Sequence, residues 1–98
     1  MNKIPSAREV YKETKAKADT LREYAIEEII NGLIKDILEM KETGLFEASY
    51  TTKNPFIDNS ICETICEKFA KAGYKVGYYS IISAIHFWVK WEDIKDED

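Results

Sequence analysis

Residues 6–43 read SAREVYKETKAKADTLREYAIEEIINGLIKDILEMKET, and this run decides the fold. It holds no proline and one glycine, Gly32. It opens on a capping box, Ser6-Ala7-Arg8-Glu9, in which the Ser6 hydroxyl accepts from the Glu9 amide and the Glu9 carboxylate can reach back to the Ser6 amide. Pro5 disfavours helix further upstream, and Gly44 is placed to cap the far end in the left-handed conformation. The pattern predicts one helix. At 1.5 Å per residue it is roughly 55 Å long, whereas a compact chain of this size has a radius of gyration of only about 13 Å. One copy's core cannot cover it, so a homo-oligomer assembled through helix 6–43 is expected.

The helix has two halves. Toward the N-terminus apolar residues are sparse, with a narrow Val10, Thr14, Leu21 line that suits an arm meeting a partner along one seam. Toward the C-terminus they crowd. Ile26, Ile30, Leu33, Ile37 and Met40 form a stripe at spacings of four and three, and Ile29, Ile34 and Leu38 broaden it. That half is expected to be buried on two sides.

Beyond Gly44 the period changes. Residues 45–52 alternate Phe46, Ala48 and Tyr50 with Glu47 and Ser49, a half-buried strand. A loop over 53–59 leads to a second capping box, Ser60-Ile61-Cys62-Glu63, and a helix ended by Gly73. Residues 74–82 and 85–91 read as a strand hairpin turning at Ser83-Ala84. The expected fold is α+β: one domain over 1–98, an αβαββ two-layer sandwich with a long N-terminal helix and a three-stranded, mainly antiparallel sheet. The first strand's partner stays open, because a helical connection also permits parallel pairing. Residues 92–98 form an acidic tail.

Charge is informative by placement. The chain carries 14 Lys and Arg against 18 Asp and Glu, a net −4. All of that excess lies in the tail, so the body is balanced and offers no electrostatic footprint for duplex nucleic acid. No apolar run reaches the roughly 18 residues of a membrane span. No signal peptide is visible, and the two cysteines sit four apart in a helical pattern, unlike a secreted disulfide scaffold. A cytoplasmic protein is expected.

The opening Ile4-Pro5-Ser6-Ala7-Arg8-Glu9-Val10, the charged helix, Ala72-Gly73-Tyr74-Lys75-Val76 and a last strand ending aromatic–Val–Lys–Trp resemble small accessory proteins of phages and prophages of Gram-positive bacteria. That resemblance implies structural accessories, or counter-defence proteins that bind a host protein or sequester a nucleotide signal in the host cytoplasm. It assigns no residue a role.

Chemistry-bearing constellations are thin. Cys62 and Cys66 share a helical face, and His86 is the one histidine. A Cys₂His metal site needs a fourth ligand, and small core hydrophobes are the plainer reading of both cysteines. If Phe87 faces the core, the period of two turns His86 away, which separates it from the cysteines. No catalytic residue, cofactor or metal is expected. Six of the twelve aromatics fall in residues 74–91. If Val76, Phe87 and Val89 cover the helix, then Lys75, Tyr79, His86, Trp88 and Lys90 share the opposite sheet face, with a bulge at Gly77 as a possible disturbance. Aromatics beside cations can stack a base and hold a phosphate, make a protein hot spot, or form a second core layer between subunits. The expectation is a non-enzymatic homo-oligomer sequestering a nucleotide-like ligand on this face. The alternatives are an inhibitor of a host protein, acting through this face or the tail, and a structural component with no ligand.

Overall fold

The computed structural model describes residues 3–92. The elements are α1 (Ala7–Thr43), β1 (Glu47–Thr52), α2 (Asn59–Lys71), β2 (Lys75–Ile81) and β3 (Ala84–Lys90). The order is the αβαββ read from the sequence. β3 lies in the middle of the sheet, antiparallel to β1 on one side and β2 on the other. The two helices cover one face.

α1 runs unbroken through Gly32. Ser6 accepts from the Glu9 amide at 3.2 Å, and Gly44 closes the helix at φ 80°, with the Leu45 amide donating to the Met40 carbonyl. Gly32 does not act as a kink. The Tyr50 ring lies where its Cβ would be, so its absence lets helix and β1 approach closely. The Tyr50 hydroxyl donates to Glu28 at 2.9 Å, which fixes the ring there. Ser49 donates its edge amide to Asp36 at 2.8 Å, so α1 also covers β1's open edge.

The core joins Ala25, Ile29, Leu33 and Ile37 of α1 to Ile61, Cys62, Ile65 and Phe69 of α2, over Ala48, Phe87 and Val89. One flank departs from the expected two-sided burial of the C-terminal half. Ile34 and Leu38 remain 43% and 51% exposed. A ridge spaced by four winds around the helix by about 40° per step. Ile26 and Ile30 at its start pack against the core, while Ile34 and Leu38 swing away from it.

The arm stands free. From Ala7 to Thr20 every residue is exposed except the half-buried Ala18. An ion pair ties the helix to the body at Arg22, 3.2 Å from Asp58. The Cα radius of gyration is 18.1 Å and the longest extent 71 Å, well beyond a compact chain's size.

Three local expectations need correction. Asp58, not Ser60, caps α2, its carboxylate accepting from the Ile61 amide at 2.9 Å. Phe46 lies before β1 and is 55% exposed, its carbonyl taken by the Trp91 amide at 2.9 Å. The hairpin turns at Ile82-Ser83, one residue earlier than read, with Ser83 at φ 60°.

Gly32→Ala gains up to about 1 kcal/mol of helix propensity but must displace a ring held between helix and strand. A net loss of about 1–3 kcal/mol is expected from overpacking. Gly32→Ala/Tyr50→Ala should recover part of it, read as coupling in a urea double-mutant cycle. Ser83→Gly relieves a left-handed serine and should raise stability by roughly 0.5–1 kcal/mol, read as a higher urea midpoint.

Candidate sheet-face site

The face away from the helices is built in rows across the three strands. Glu47, Lys90 and Lys75 form the first row, Ser49, Trp88 and Gly77 the second, and Thr51, His86 and Tyr79 the third. All five residues singled out from the sequence stand on this face, because the pairing stays regular from Lys75↔Lys90 to Ile81↔Ala84. Gly77 makes no bulge. Its role is to leave room for Trp88, whose Cζ2 lies 2.5 Å from where a Gly77 Cβ would be. The indole thus lies across the neighbouring strand's bare backbone, the usual way an aromatic protects a strand glycine.

Each aromatic has a polar or cationic neighbour. The Lys90 Nζ lies 5.4 Å from the Trp88 ring centroid, a cation–π contact. Tyr79 and His86 stack at 4.9 Å with a 38° tilt, and Thr51 Oγ1 lies 2.7 Å from His86 Nδ1. That hydrogen bond fixes the ring's orientation and points Nε2 away from Thr51. Tyr79 is half exposed, and Trp88, His86 and Lys90 are half buried. A shallow recess of about 260 Å³ at the β1 edge reaches His86 and Trp88 past Glu47 and Ser49. The site is therefore a shallow platform: two aromatic surfaces in adjacent rows, with the Lys75 and Lys90 ammonium groups and the Glu47 carboxylate along one end. It can stack planar groups and neutralise an anion.

The cysteines lie elsewhere. Cys62 is fully buried on the helical side of the sheet and Cys66 half buried, so β3 separates both from His86. Burial, and then the neighbouring Cys66 and Asp58, push the Cys62 thiol up to about 11. Burial also raises Cys66. Both shifts favour the protonated thiol over the nucleophilic thiolate. Tyr50 is raised by burial and by its hydrogen bond to Glu28, and Tyr78 by burial.

Sequence reasoning passed over the apolar residues at the platform's end. Ile81 and Ile82 at the hairpin tip are 47% and 97% exposed. Their signal was available: two adjacent isoleucines beside a tight turn cannot both face a core.

Comparison of the chain with protein-family models, with curated proteins and with solved structures gives no match.

The raised thiol makes alkaline stability a test of Cys62. Its unfolded value is near 9.0 and its folded value about 11. Below 9.0 both states keep the proton. Between 9.0 and about 11 the unfolded chain releases it first, so stability falls as pH rises through that window. Urea midpoints across the window should decline less steeply for Cys62→Ala. Native alkylation should modify the half-buried Cys66 well before Cys62.

Proposed function

We propose that the chain is a non-enzymatic binding protein that works as a homo-oligomer, and that its open sheet face receives a planar, anionic, nucleotide-like ligand. The observation that carries this reading is a sheet face left bare by both helices and bearing Trp88, Tyr79 and His86 beside Lys90 and Lys75. A base would lie on the Tyr79–His86 pair or on the indole, and a phosphate would draw Lys90 from its contact over Trp88. Stacking is worth roughly 1–3 kcal/mol per base, and the lysines add charge selection. The resemblance to phage accessory proteins fits such a role, in which the protein removes a nucleotide signal from the host cytoplasm. Homo-oligomer formation is supported by the apolar flank of α1 that the body leaves uncovered, where Ile34 and Leu38 are 43% and 51% exposed.

A second reading, binding of a host protein, draws on a different observation. Ile81 and Ile82 extend the face with exposed apolar surface that a nucleotide would not use. A protein partner would cover both the platform and the hairpin tip. The acidic tail named for this role in the sequence lies, from residue 93 onward, outside the described residues.

Titration with nucleoside monophosphates, triphosphates and cyclic dinucleotides, followed by calorimetry, tests the first reading. Trp88→Ala should lower the affinity of whichever nucleotide binds about tenfold or more, and Lys90→Glu should act in the same direction. Oligomer mass should hold in both. Ile82→Asp should leave nucleotide binding intact. No heat with any nucleotide would sink this reading. Loss of host-protein capture in both Trp88→Ala and Ile82→Asp would support the second.

A further inference from the structure

The exposed part of the α1 ridge faces a groove. Ile30, Ile34 and Leu38 line one side of it, and Phe69, Ala72 and Tyr74 the other, around a space of about 340 Å³. We infer that this groove seats the α1 helix of a second copy, antiparallel, around a two-fold axis at Ile34. The inference rests on the homo-oligomer reading and assigns its interface.

The argument is the symmetry of the sequence on that flank. In a two-fold contact, if residue i meets residue j, then j meets i. With Ile34 on the axis, Ile34 meets the partner's Ile34, Ile30 meets the partner's Leu38, and Glu27 meets the partner's Lys41. The positions 27, 30, 34, 38 and 41 are spaced by three, four, four and three, the same in either direction. Their chemistry is equally matched: an anion, three apolar residues, a cation. All five fall within about 80° of arc on one helical face. Glu27 and Lys41 are both exposed, and neither takes part in an ion pair among the described residues. Each copy thus presents apolar to apolar at the centre and opposite charges at both rims.

Residues 25–43 of the two copies would lie side by side over roughly 28 Å. The arms would project beyond the pair in opposite directions. Both open sheet faces would point outward, because the groove belongs to the helical layer. The assembly would therefore be a two-headed binder, with its platforms on opposite sides.

Sedimentation equilibrium of the full chain at micromolar concentration tests this. The wild type should show twice 11.4 kDa. Ile34→Asp sets two carboxylates against each other on the axis and should give a monomer with an unchanged helical circular-dichroism signal. Glu27→Lys makes both rim pairs repulsive and should weaken association about tenfold. Glu27→Lys/Lys41→Glu should restore it. Both rim residues are exposed, so this pair of variants decides the matter even if Ile34→Asp misfolds. Deletion of residues 3–19 should leave the dimer intact. A wild-type monomer would remove the homo-oligomer reading together with this interface. An oligomer indifferent to Ile34→Asp, a double variant no tighter than Glu27→Lys, or dissociation on losing the arm would overturn this interface and leave the homo-oligomer reading standing.

Discussion

The structure depends on a mismatch of lengths. A helix of 37 residues lies over a sheet whose strands have six or seven. A strand of seven residues spans roughly 23 Å, less than half the helix. Only the segment from Ala25 to Ile37 is buried, and four residues spaced by four do most of it. Everything distinctive follows. The N-terminal half has no body to lie on, and the second apolar ridge winds off the sheet. One layer of helices also cannot cover both faces of a sheet, so one face stays bare.

Close approach sets the rest of the geometry, and it is made with missing side chains. Gly32 admits the Tyr50 ring on the helical side of the sheet, and Gly77 admits the Trp88 ring on the open side. In each case an aromatic takes the volume a Cβ would have used. The first contact locks α1 to β1, reinforced by the Tyr50–Glu28 hydrogen bond. The second flattens the platform, since an indole lying across a strand offers a broad surface where an upright one would offer an edge. The two glycines thus place the two faces of the same sheet.

The element order, the cap at Gly44 and the division of β3 into an inner and an outer set were legible in the sequence. Each follows from a local rule: a period, a cap or a turn. The platform was legible for the same reason, since alternation along β3 carries His86, Trp88 and Lys90 to one side without any tertiary information. What escaped was what depends on neighbours. Ser60 and Asp58 are both good caps, and only the path of the preceding loop, with Arg22 holding Asp58, chooses between them. The ridges 25–29–33–37 and 26–30–34–38 look equally apolar along the chain. Which one is buried is set by where the sheet lies and how far α2 reaches. Gly77 looked like a bulge because a glycine's vacancy is silent about what fills it.

The exposed isoleucine ridge and the bare platform call for different explanations. A platform of aromatics with lysines, hydroxyls and a histidine is compatible with water. Its polar atoms can be solvated, and its rings are partly shielded by Lys90 and Gly77. The Ile34 and Leu38 flank has no such accommodation. Its side chains carry no polar atoms, and exposed apolar area costs about 25 cal/mol per Å² relative to burial. The same sheet therefore separates two surfaces of unlike chemistry. On the helical side lies one that gains free energy by being covered, and on the open side one whose polar and aromatic rows tolerate water, apart from Ile81 and Ile82 at the hairpin tip. Under the proposed reading, the ridge serves assembly and the platform reversible binding. An oligomer closed through the platform would bury charged and hydrogen-bonding groups and still leave the apolar ridge in water.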